Sequence, residues 1–339
     1  VTSKNAGVSN ITATYNGSAT AEVSFALAVS DALSSLTLSK ASILADNIES
    51  SVVQWVAVDY NGKALTGLEN AGFNLSDDSY VTLGDVTETP AGSGTYRASL
   101  KGSQAKVITI TPAVNGVATG ENTVSLTLNP RAITEIHVEG YSGDIKYTAP
   151  SGTTGGFPTL AFNDEWKKGT TSFRFSAAGG DVRSNSAYTW KSDQSWVSVS
   201  ADGVVTFTAK PTSATKTVTI TATYPGYETY TYKFTVSKWF TQVSGYASYA
   251  ATNLQCSNLG GIIPAVSDLV VVGDGTTGKL GTLHGEWGGN ANYYALNSWT
   301  STIPDGGSAG GRNTFVAKYG SVLSSTENVT NYKICMFDY

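Results

Sequence analysis

Apolar and polar residues alternate along most of the chain, and turn sequences interrupt the alternation. Residues 10–25 and residues 107–128 each contain an alternating run, an Asn-Gly pair and a second alternating run. Alternation with period two predicts half-buried strands, and Asn-Gly supplies the positive φ angles of a tight hairpin turn. The two Asn-Gly pairs lie about 100 residues apart, which is the size of one immunoglobulin-like sandwich. The pattern therefore predicts the closing strands of a truncated sandwich at 1–30 and a complete sandwich at 31–130.

A second stretch of similar length, residues 131–238, shows the same pattern. Its clearest strands are predicted at 217–224 and 230–236, on either side of a Pro-Gly turn. Another predicted strand, at 196–200, precedes an Asp-Gly turn. Short strands separated by regular turn signals are typical of antiparallel sandwiches. We therefore predict a second β-sandwich here.

The pattern changes after Trp239. Four residues have helical spacing: Tyr246, Tyr249, Ala250 and Leu254. A second short helix is predicted at 264–269, because proline is favoured in the first helical turn. A glycine-rich stretch then precedes three strand-like runs, at 294–302, 314–319 and 332–337. The expected fold class is mainly β, with tandem immunoglobulin-like β-sandwiches followed by an α+β domain at 239–339.

Composition supports this interpretation and excludes several classes of protein. Glycine accounts for 36 of the 339 residues and charged residues for 14%, against about 25% charged residues in an average soluble protein. The formal net charge of −5 offers no broad basic surface for nucleic acid. No apolar run approaches the length of a membrane-spanning helix. Residues 1–4 contain neither a start methionine nor a signal peptide, which suggests an internal fragment.

Histidine and cysteine are too few for most catalytic or metal-binding motifs. His137 and His284 fall in different predicted domains, so neither a Ser-His-Asp triad nor a histidine-rich metal site is expected. Cys256 and Cys335 are the only thiols, and they are either two buried free thiols or one disulfide of an exported protein. A disulfide would tie the first helix of the last domain to its last strand. It would close a loop of about 80 residues and contribute roughly 4–5 kcal/mol.

Short motifs carry a resemblance to known bacterial repeats. Three motifs in residues 31–130 resemble the bacterial immunoglobulin-like group 1 repeat: Leu-Ala-Asp at 44–46, Val-Ala-Val-Asp-Tyr-Asn-Gly at 56–62 and Gly-Thr-Tyr at 94–96. The run at 196–206 makes residues 131–238 similar to the group 2 repeat. The last hundred residues resemble a C-type lectin-like domain, through Cys256, Ser-Trp-Thr-Ser at 298–301, Tyr-Gly-Ser-Val at 319–322 and Tyr-Lys-Ile-Cys at 332–335.

In this order, the three domain types resemble the extracellular region of the intimin/invasin family, the inverse autotransporter adhesins of bacterial outer membranes. The resemblance implies a surface-exposed rod of immunoglobulin-like domains, anchored through an N-terminal β-barrel outside this sequence. It also implies a C-type lectin-like tip that binds a host-cell protein. Invasin-type tips bind β1 integrins, and intimin-type tips bind a bacterial receptor inserted into the host membrane. A soluble host protein, such as an immunoglobulin, or a carbohydrate remains an alternative ligand.

Six residues of the tip are candidates for receptor binding, since Trp, Tyr and Arg are favoured at binding hot spots: Asp305, Arg312, Trp287, Tyr293, Tyr294 and Asn290. Asp305 is the invasin-like candidate, because integrins coordinate a ligand carboxylate through a metal ion, although Asp-Gly also makes ordinary turns. Arg312 either contacts an acidic partner or is simply solvated. Trp287 is either a core anchor or an exposed contact, and one of the two tyrosines is expected in the core.

Two further expectations concern the tip. Trp239 and Phe240 are expected to be buried where the last sandwich meets it. No cofactor or metal is expected, because the tip lacks the Glu-Pro-Asn and Gln-Pro-Asp motifs of calcium-dependent lectins, and its few acids are well spread. An enzyme, such as a polysaccharide hydrolase, is the alternative class. It is disfavoured, because glycoside hydrolysis needs two carboxylates roughly 5–10 Å apart and no paired acidic motif occurs.

Overall fold

The computed structural model describes most of the chain, and the chain divides into two compact units, Val1–Arg131 and Ala132–Tyr339. Strands greatly outnumber helices, which confirms the mainly β class. The described residues are 8–11, 14–15, 18–19, 23–26, 29–140, 143–164, 169–170, 172–225, 227–274, 276–288, 297–305, 310–316 and 319–339.

The first four strands form two antiparallel pairs: β1 (Val8–Ile11) with β4 (Val23–Ala26), and β2 (Thr14–Tyr15) with β3 (Ser18–Ala19). Strands β2 and β3 flank the predicted Asn-Gly turn, which itself lies outside the described residues. The assignment of residues 1–30 to a truncated sandwich stays a prediction.

Residues 31–131 form two five-stranded sheets. One has the order β10-β11-β7-β5, with β9 also on β11, and the other has the order β13-β12-β14-β6, with β8 also on β12. Asn115 and Gly116 have φ angles of 53° and 76° between β12 and β13, as the hairpin prediction requires. The strands are β5 (Ser35–Leu38), β6 (Ser42–Leu44), β7 (Ser51–Val56), β8 (Ala71–Leu75), β9 (Val81–Leu83), β10 (Thr87–Glu88), β11 (Thr95–Gly102), β12 (Lys106–Val114), β13 (Val117–Ala118) and β14 (Val124–Asn129).

Residues 132–237 also form two sheets, packed around buried aromatic side chains that include Phe173, Phe175 and Tyr232. The sheet orders are β16-β15-β20-β23-β22 and β17-β25-β24-β21. The strands are β15 (Ile133–Gly140), β16 (Gly143–Thr148), β17 (Thr153–Thr154), β18 (Leu160–Asp164), β19 (Gly169–Thr170), β20 (Ser172–Ala177), β21 (Thr189–Ser192), β22 (Val197–Val199), β23 (Val204–Phe207), β24 (Thr217–Thr223) and β25 (Tyr230–Thr235).

The C-terminal region, residues 239–339, shares a seven-stranded sheet with the preceding sandwich. The sheet order is β19-β18-β26-β30-β27-β28-β29, and β18 pairs in parallel with β26, so that Phe162 lies opposite Phe240. One buried apolar cluster extends through residues 132–339. The elements are β26 (Lys238–Ala247), α1 (Tyr249–Asn258), α2 (Val266–Leu269), α3 (Leu283–Trp287), β27 (Asn297–Trp299), β28 (Gly311–Val316), β29 (Ser321–Thr326) and β30 (Asn331–Asp338). A division of this unit at 238/239 stays a prediction.

The helix predicted after Trp239 is present, but its start and its buried face differ from the prediction. Tyr246 belongs to β26, opposite Tyr332 of β30, and α1 begins only after Ser248, whose hydroxyl caps it. Leu254 is 63% exposed, whereas Thr252 and Cys256 are buried. The buried face of α1 is the one that carries Cys256 and packs toward β30. The helical spacing of apolar residues predicted a different face, the one that carries Leu254.

Three elements of the C-terminal region were missed: strand β26, helix α3 and strand β29. Helix α3 lies in the stretch predicted only as glycine-rich, where the Thr282 side chain caps its start and Gly288, with φ of 58°, ends it. Strand β29 forms the second arm of a hairpin with β28. Helix α2 occupies the predicted place, with Pro264 just before its cap residue Ala265.

Cys256 and Cys335 form a disulfide, with their Cα atoms 5.3 Å apart. The bond joins α1 to the central strand β30. Of the two alternatives that the sequence left open, the structure therefore has the disulfide.

Replacing both cysteines by serine should lower the free energy of unfolding of residues 132–339 by about 2–5 kcal/mol, because a long loop of the unfolded chain is no longer closed. Urea unfolding followed by tryptophan fluorescence measures this change. The transition of Val1–Arg131, which contains Trp55, serves as the internal control and should not move. Equal stability of the parent and the double variant would contradict the expectation.

Candidate functional site

Trp239 and Phe240 are fully buried where β26 adjoins the sandwich strands. The Trp239 ring packs against Trp196 and Phe207, with ring centroids 6.2 and 6.1 Å away. Its indole N–H lies 3.2 Å from the Asn163 side-chain oxygen on β18. Strand β26 thus contributes side chains to the aromatic core of residues 132–237.

Trp287 is a core residue, which corrects its candidacy for receptor binding. Its side chain is 1% exposed, and its ring lies 4.7 Å from Phe157 and 5.7 Å from Phe162, between centroids. Its indole N–H donates to the carbonyl of Leu160 at 2.9 Å. Helix α3 points this ring into the sandwich, so the side chain is closed to a partner.

Glu286, beside Trp287, is a fully buried carboxylate that the sequence analysis missed. One oxygen accepts from the backbone N–H groups of Thr159 and Leu160, at 2.9 and 3.0 Å. The other accepts from the N–H of Gly281 at 2.9 Å and from the Thr159 hydroxyl. Burial raises the pKa of this carboxyl above its ordinary value, while the hydrogen-bond donors oppose the shift. The carboxylate joins α3 to the start of β18.

The segment that Glu286 contacts is itself held in place from both sides. The Tyr232 hydroxyl donates to the carbonyl of Phe157 at 2.7 Å, and the N–H of Ser237 donates to the carbonyl of Thr159 at 2.8 Å. The Tyr147 hydroxyl donates to the backbone carbonyl of Glu286 at 2.8 Å. Side chains and backbone from both regions therefore form one hydrogen-bonded junction, which is a structural site.

A surface cleft of about 520 Å³ lies next to Asp305. Aliphatic side chains dominate it, and several are exposed to solvent, among them Val272 at 69% and Ile303 at 60%. Asp305 is the one charged residue in its lining as the structure describes it. The lining residues are Val266, Ser267, Val270, Val271, Val272, Thr302, Ile303, Asp305, Asn313 and Val322.

The walls of the cleft are fixed by polar contacts. The N–H of Val266 donates to the Thr302 hydroxyl at 2.9 Å, and the N–H of Ser301 donates to the carbonyl of Pro264 at 2.9 Å. Asp268 on α2 forms an ion pair with Lys238, with a separation of 2.6 Å. Helix α2 is thereby attached both to the segment before Asp305 and to the start of β26, so the cleft is formed before any partner arrives.

Arg312 is engaged inside the protein. Its Nε donates to Glu327 at 2.7 Å, one terminal nitrogen donates to the carbonyl of Ser301 at 3.1 Å, and the guanidinium lies 4.4 Å from the Tyr249 ring centroid. These contacts tie α1 and β28 together and leave little of the guanidinium for a partner. Asn290, Tyr293 and Tyr294 lie outside the described residues.

No group of three or more His, Cys, Asp or Glu side chains that could hold a metal ion occurs within the described ranges. Among the same residues, no helix has the length and apolar character needed to cross a membrane.

Family models match the two sandwich regions. The model of invasin domain 3 matches residues 30–131, and the model of invasin domain 4 matches residues 134–236. The chain belongs to the intimin/invasin family.

Invasin of Yersinia enterocolitica is 30% identical over 311 residues, which cover 88% of this chain and 35% of that protein. The inverse autotransporter adhesin YeeJ of Escherichia coli K12 is 26% identical over 305 residues, covering 86% of this chain and 12% of that protein. The chain thus spans about a third or less of these relatives. The crystal structure of invasin, described as a bacterial integrin-binding protein, is 23% identical, with a TM-score of 0.49, and covers 100% of this chain and 67% of that one.

Ending the chain at residue 239 should cause aggregation. The shortened chain lacks α3 and β30, so Phe157 and Phe162 lose their contacts with Trp287, and Trp239 loses the neighbouring strand β30. Size-exclusion chromatography with light scattering, on the shortened and the full chain, measures the effect. A monomeric shortened chain with an unchanged melting temperature would show that the sandwich does not need the C-terminal region.

Relative to a Glu286→Gln variant, the parent chain should lose stability as the pH rises. The folded state holds the Glu286 proton more tightly than the unfolded state does, because its pKa is raised from 4.5. This contribution is fully present below the unfolded-state pKa and is lost as the pH passes the folded-state pKa. Urea unfolding of both chains between pH 4 and pH 8 measures the difference. A difference independent of pH would be evidence against the raised pKa.

Proposed function

We propose that this chain is the extracellular part of an adhesin on a bacterial outer membrane, and that residues 239–339 bind a host protein receptor. Membership of the intimin/invasin family supports the adhesin class, since both relatives named above are adhesins or invasins. A disulfide suits a protein that is exported to an oxidising environment. The proposal includes no catalytic activity.

In this proposal the two immunoglobulin-like regions, 31–130 and 131–238, act as spacers for a C-type lectin-like tip at 239–339. The observation that carries the assignment of binding to the tip is the preformed cleft beside Asp305. Exposed apolar side chains grouped on one surface mark interaction sites more often than scattered ones do. In this proposal Trp287 and Arg312 do not contact the receptor. Trp287 is a core residue, and Arg312 forms contacts within the C-terminal region.

Asp305 is the residue of the cleft best suited to select a partner. Its side chain is exposed, and the other lining residues that the structure describes are uncharged. None of these side chains therefore forms an ion pair with the Asp305 carboxylate that a partner would have to replace. An integrin-like receptor would approach it with a metal ion held by the receptor itself. A receptor without such a metal would have to offer a basic group. Either way, the carboxylate should matter for binding.

Replacing Asp305 by alanine should reduce binding of the full chain to host cells at least tenfold, the scale of an interface hot spot. Fluorescently labelled chain and a panel of host cell lines provide the measurement. Asp338→Ala, at another exposed aspartate of the same region, is the matched control and should bind like the parent. Repeating the assay with EDTA classifies the receptor, because loss of binding identifies a metal-dependent, integrin-like partner.

Equal binding by the parent and Asp305→Ala would remove the cleft from the proposal. Absence of binding by the parent to every cell line and to host extracellular proteins would contradict receptor binding by the tip.

A further inference from the structure

Strand β29 is an edge strand whose outward backbone groups can be identified. It is the last strand in the order of the seven-stranded sheet, as far as the described residues show. The Thr314 hydroxyl contacts the carbonyl of Leu323 at 3.4 Å, and the N–H of Glu327 donates to the carbonyl of Gly310 at 2.9 Å. Odd-numbered residues of this arm therefore turn their backbone groups toward β28. Because antiparallel pairs alternate, Val322 and Ser324 turn theirs outward.

The edge lacks the usual protection against pairing with another chain. Natural edge strands carry charged side chains, proline or a bulge that prevents addition of a further strand. The sequence of β29, Ser-Val-Leu-Ser-Ser-Thr, contains no charge and no proline, and its register with β28 runs without interruption from Ser321 to Thr326. The strand thus offers a regular, neutral edge.

The cleft lies on the face of the sheet to which the outward residues point their side chains. Val322 lines the cleft, and so does Asn313, which lies opposite Ser324 in the register. Side chains alternate between faces along a strand, and paired residues share a face. A strand added beyond β29 would therefore direct every second side chain toward the cleft.

We infer that β29 and the cleft together form a strand-addition site for an extended segment of a partner polypeptide, with an aliphatic side chain for the cleft and a basic residue for Asp305. In this mode of recognition main-chain hydrogen bonds supply affinity, and pockets for alternate side chains supply specificity. The charge of the partner follows from the described lining residues, among which the carboxylate of Asp305 is the one charged group. This inference rests on the proposed function, in that the partner segment belongs to a receptor protein.

The test uses the full chain, labelled for NMR on backbone amides and valine methyl groups, and three blocked hexapeptides. The first alternates threonine and leucine and ends in lysine, the second ends in glutamate, and the third is the lysine peptide with every backbone amide N-methylated, which removes the donors of both of its edges. We expect the lysine peptide to shift the amide signals of Val322 and Ser324 and the methyl signals of Val271 and Val272. The glutamate peptide should bind at least fivefold more weakly, and the N-methylated peptide should not bind.

Two variants separate the edge from general damage. Ser324→Pro removes an outward N–H group. An edge strand tolerates proline at such a position, so the variant should lose peptide binding and keep the melting temperature of the parent. Val329→Thr, at an exposed valine outside the cleft lining, should bind like the parent. If Ser324→Pro does not fold, N-methylation of the peptide still tests strand pairing alone.

Equal binding of the lysine and N-methylated peptides, or no shift with any peptide, would overturn strand addition. Self-association of the parent that Ser324→Pro abolishes would also overturn it, by assigning the edge to a second copy of this chain. In the cell assay, full binding by Ser324→Pro would reject this site and leave the adhesin proposal intact. Loss of binding with Asp305→Ala and Ser324→Pro, but not with EDTA, would support both proposals.

Discussion

The parallel pairing of β18 with β26 is the interaction on which the C-terminal half of the molecule depends. Strand β18 leaves the sandwich of residues 132–237 and enters a sheet whose other strands come mainly from the C-terminal region. Five consecutive residue pairs, from Leu160 with Lys238 to Asp164 with Gln242, hold this register. The ladder places Phe162 beside Phe240 on one face of the sheet and Trp239 on the other face,, and all three side chains belong to the one buried apolar cluster of residues 132–339. The sandwich and the C-terminal region consequently cannot move as independent bodies without exposing that core.

Glu286 explains how the start of β18 is held. Backbone N–H groups at the end of a buried segment are costly when they lack acceptors, and Thr159 and Leu160 would otherwise present two of them to the aromatic core. A carboxylate meets both with one oxygen and still accepts two further donors with the other. Burying an acidic group is unfavourable for its charged form, which is why burial raises its pKa. Burial of Glu286 therefore costs desolvation free energy, and the four hydrogen bonds that its two oxygens accept offset that cost.

The features that could be predicted from the sequence are those that local patterns determine. The Asn115–Gly116 turn follows from two adjacent residues, and strand alternation follows from one face of each strand being buried. The buried face of α1 could not be predicted from local apolar spacing. The disulfide between Cys256 and β30 determines which face is buried, and Leu254, which fits the apolar spacing, is exposed. Helix α3 had a local signal, Thr282 before it and Gly288 after it, which the abundance of glycine obscured. The cleft has no local signal, since its lining comes from α2 and the residues 270–272 after it, the segment at 302–305, β28 and β29.

The position of the cleft relative to the junction bears on how a tip of this size can bind a protein. Affinity is lost when binding must first order flexible side chains or loops. Here α2 is tied to β26 by the Lys238–Asp268 ion pair, and β26 is tied to the sandwich by β18, so one wall of the cleft is connected to the whole unit. Val271, Val272 and Ile303 stay exposed although burying them would stabilise the fold,. In the function proposed above, a partner covers this apolar surface, and the neutral edge of β29 beside it supplies the backbone groups that align the partner.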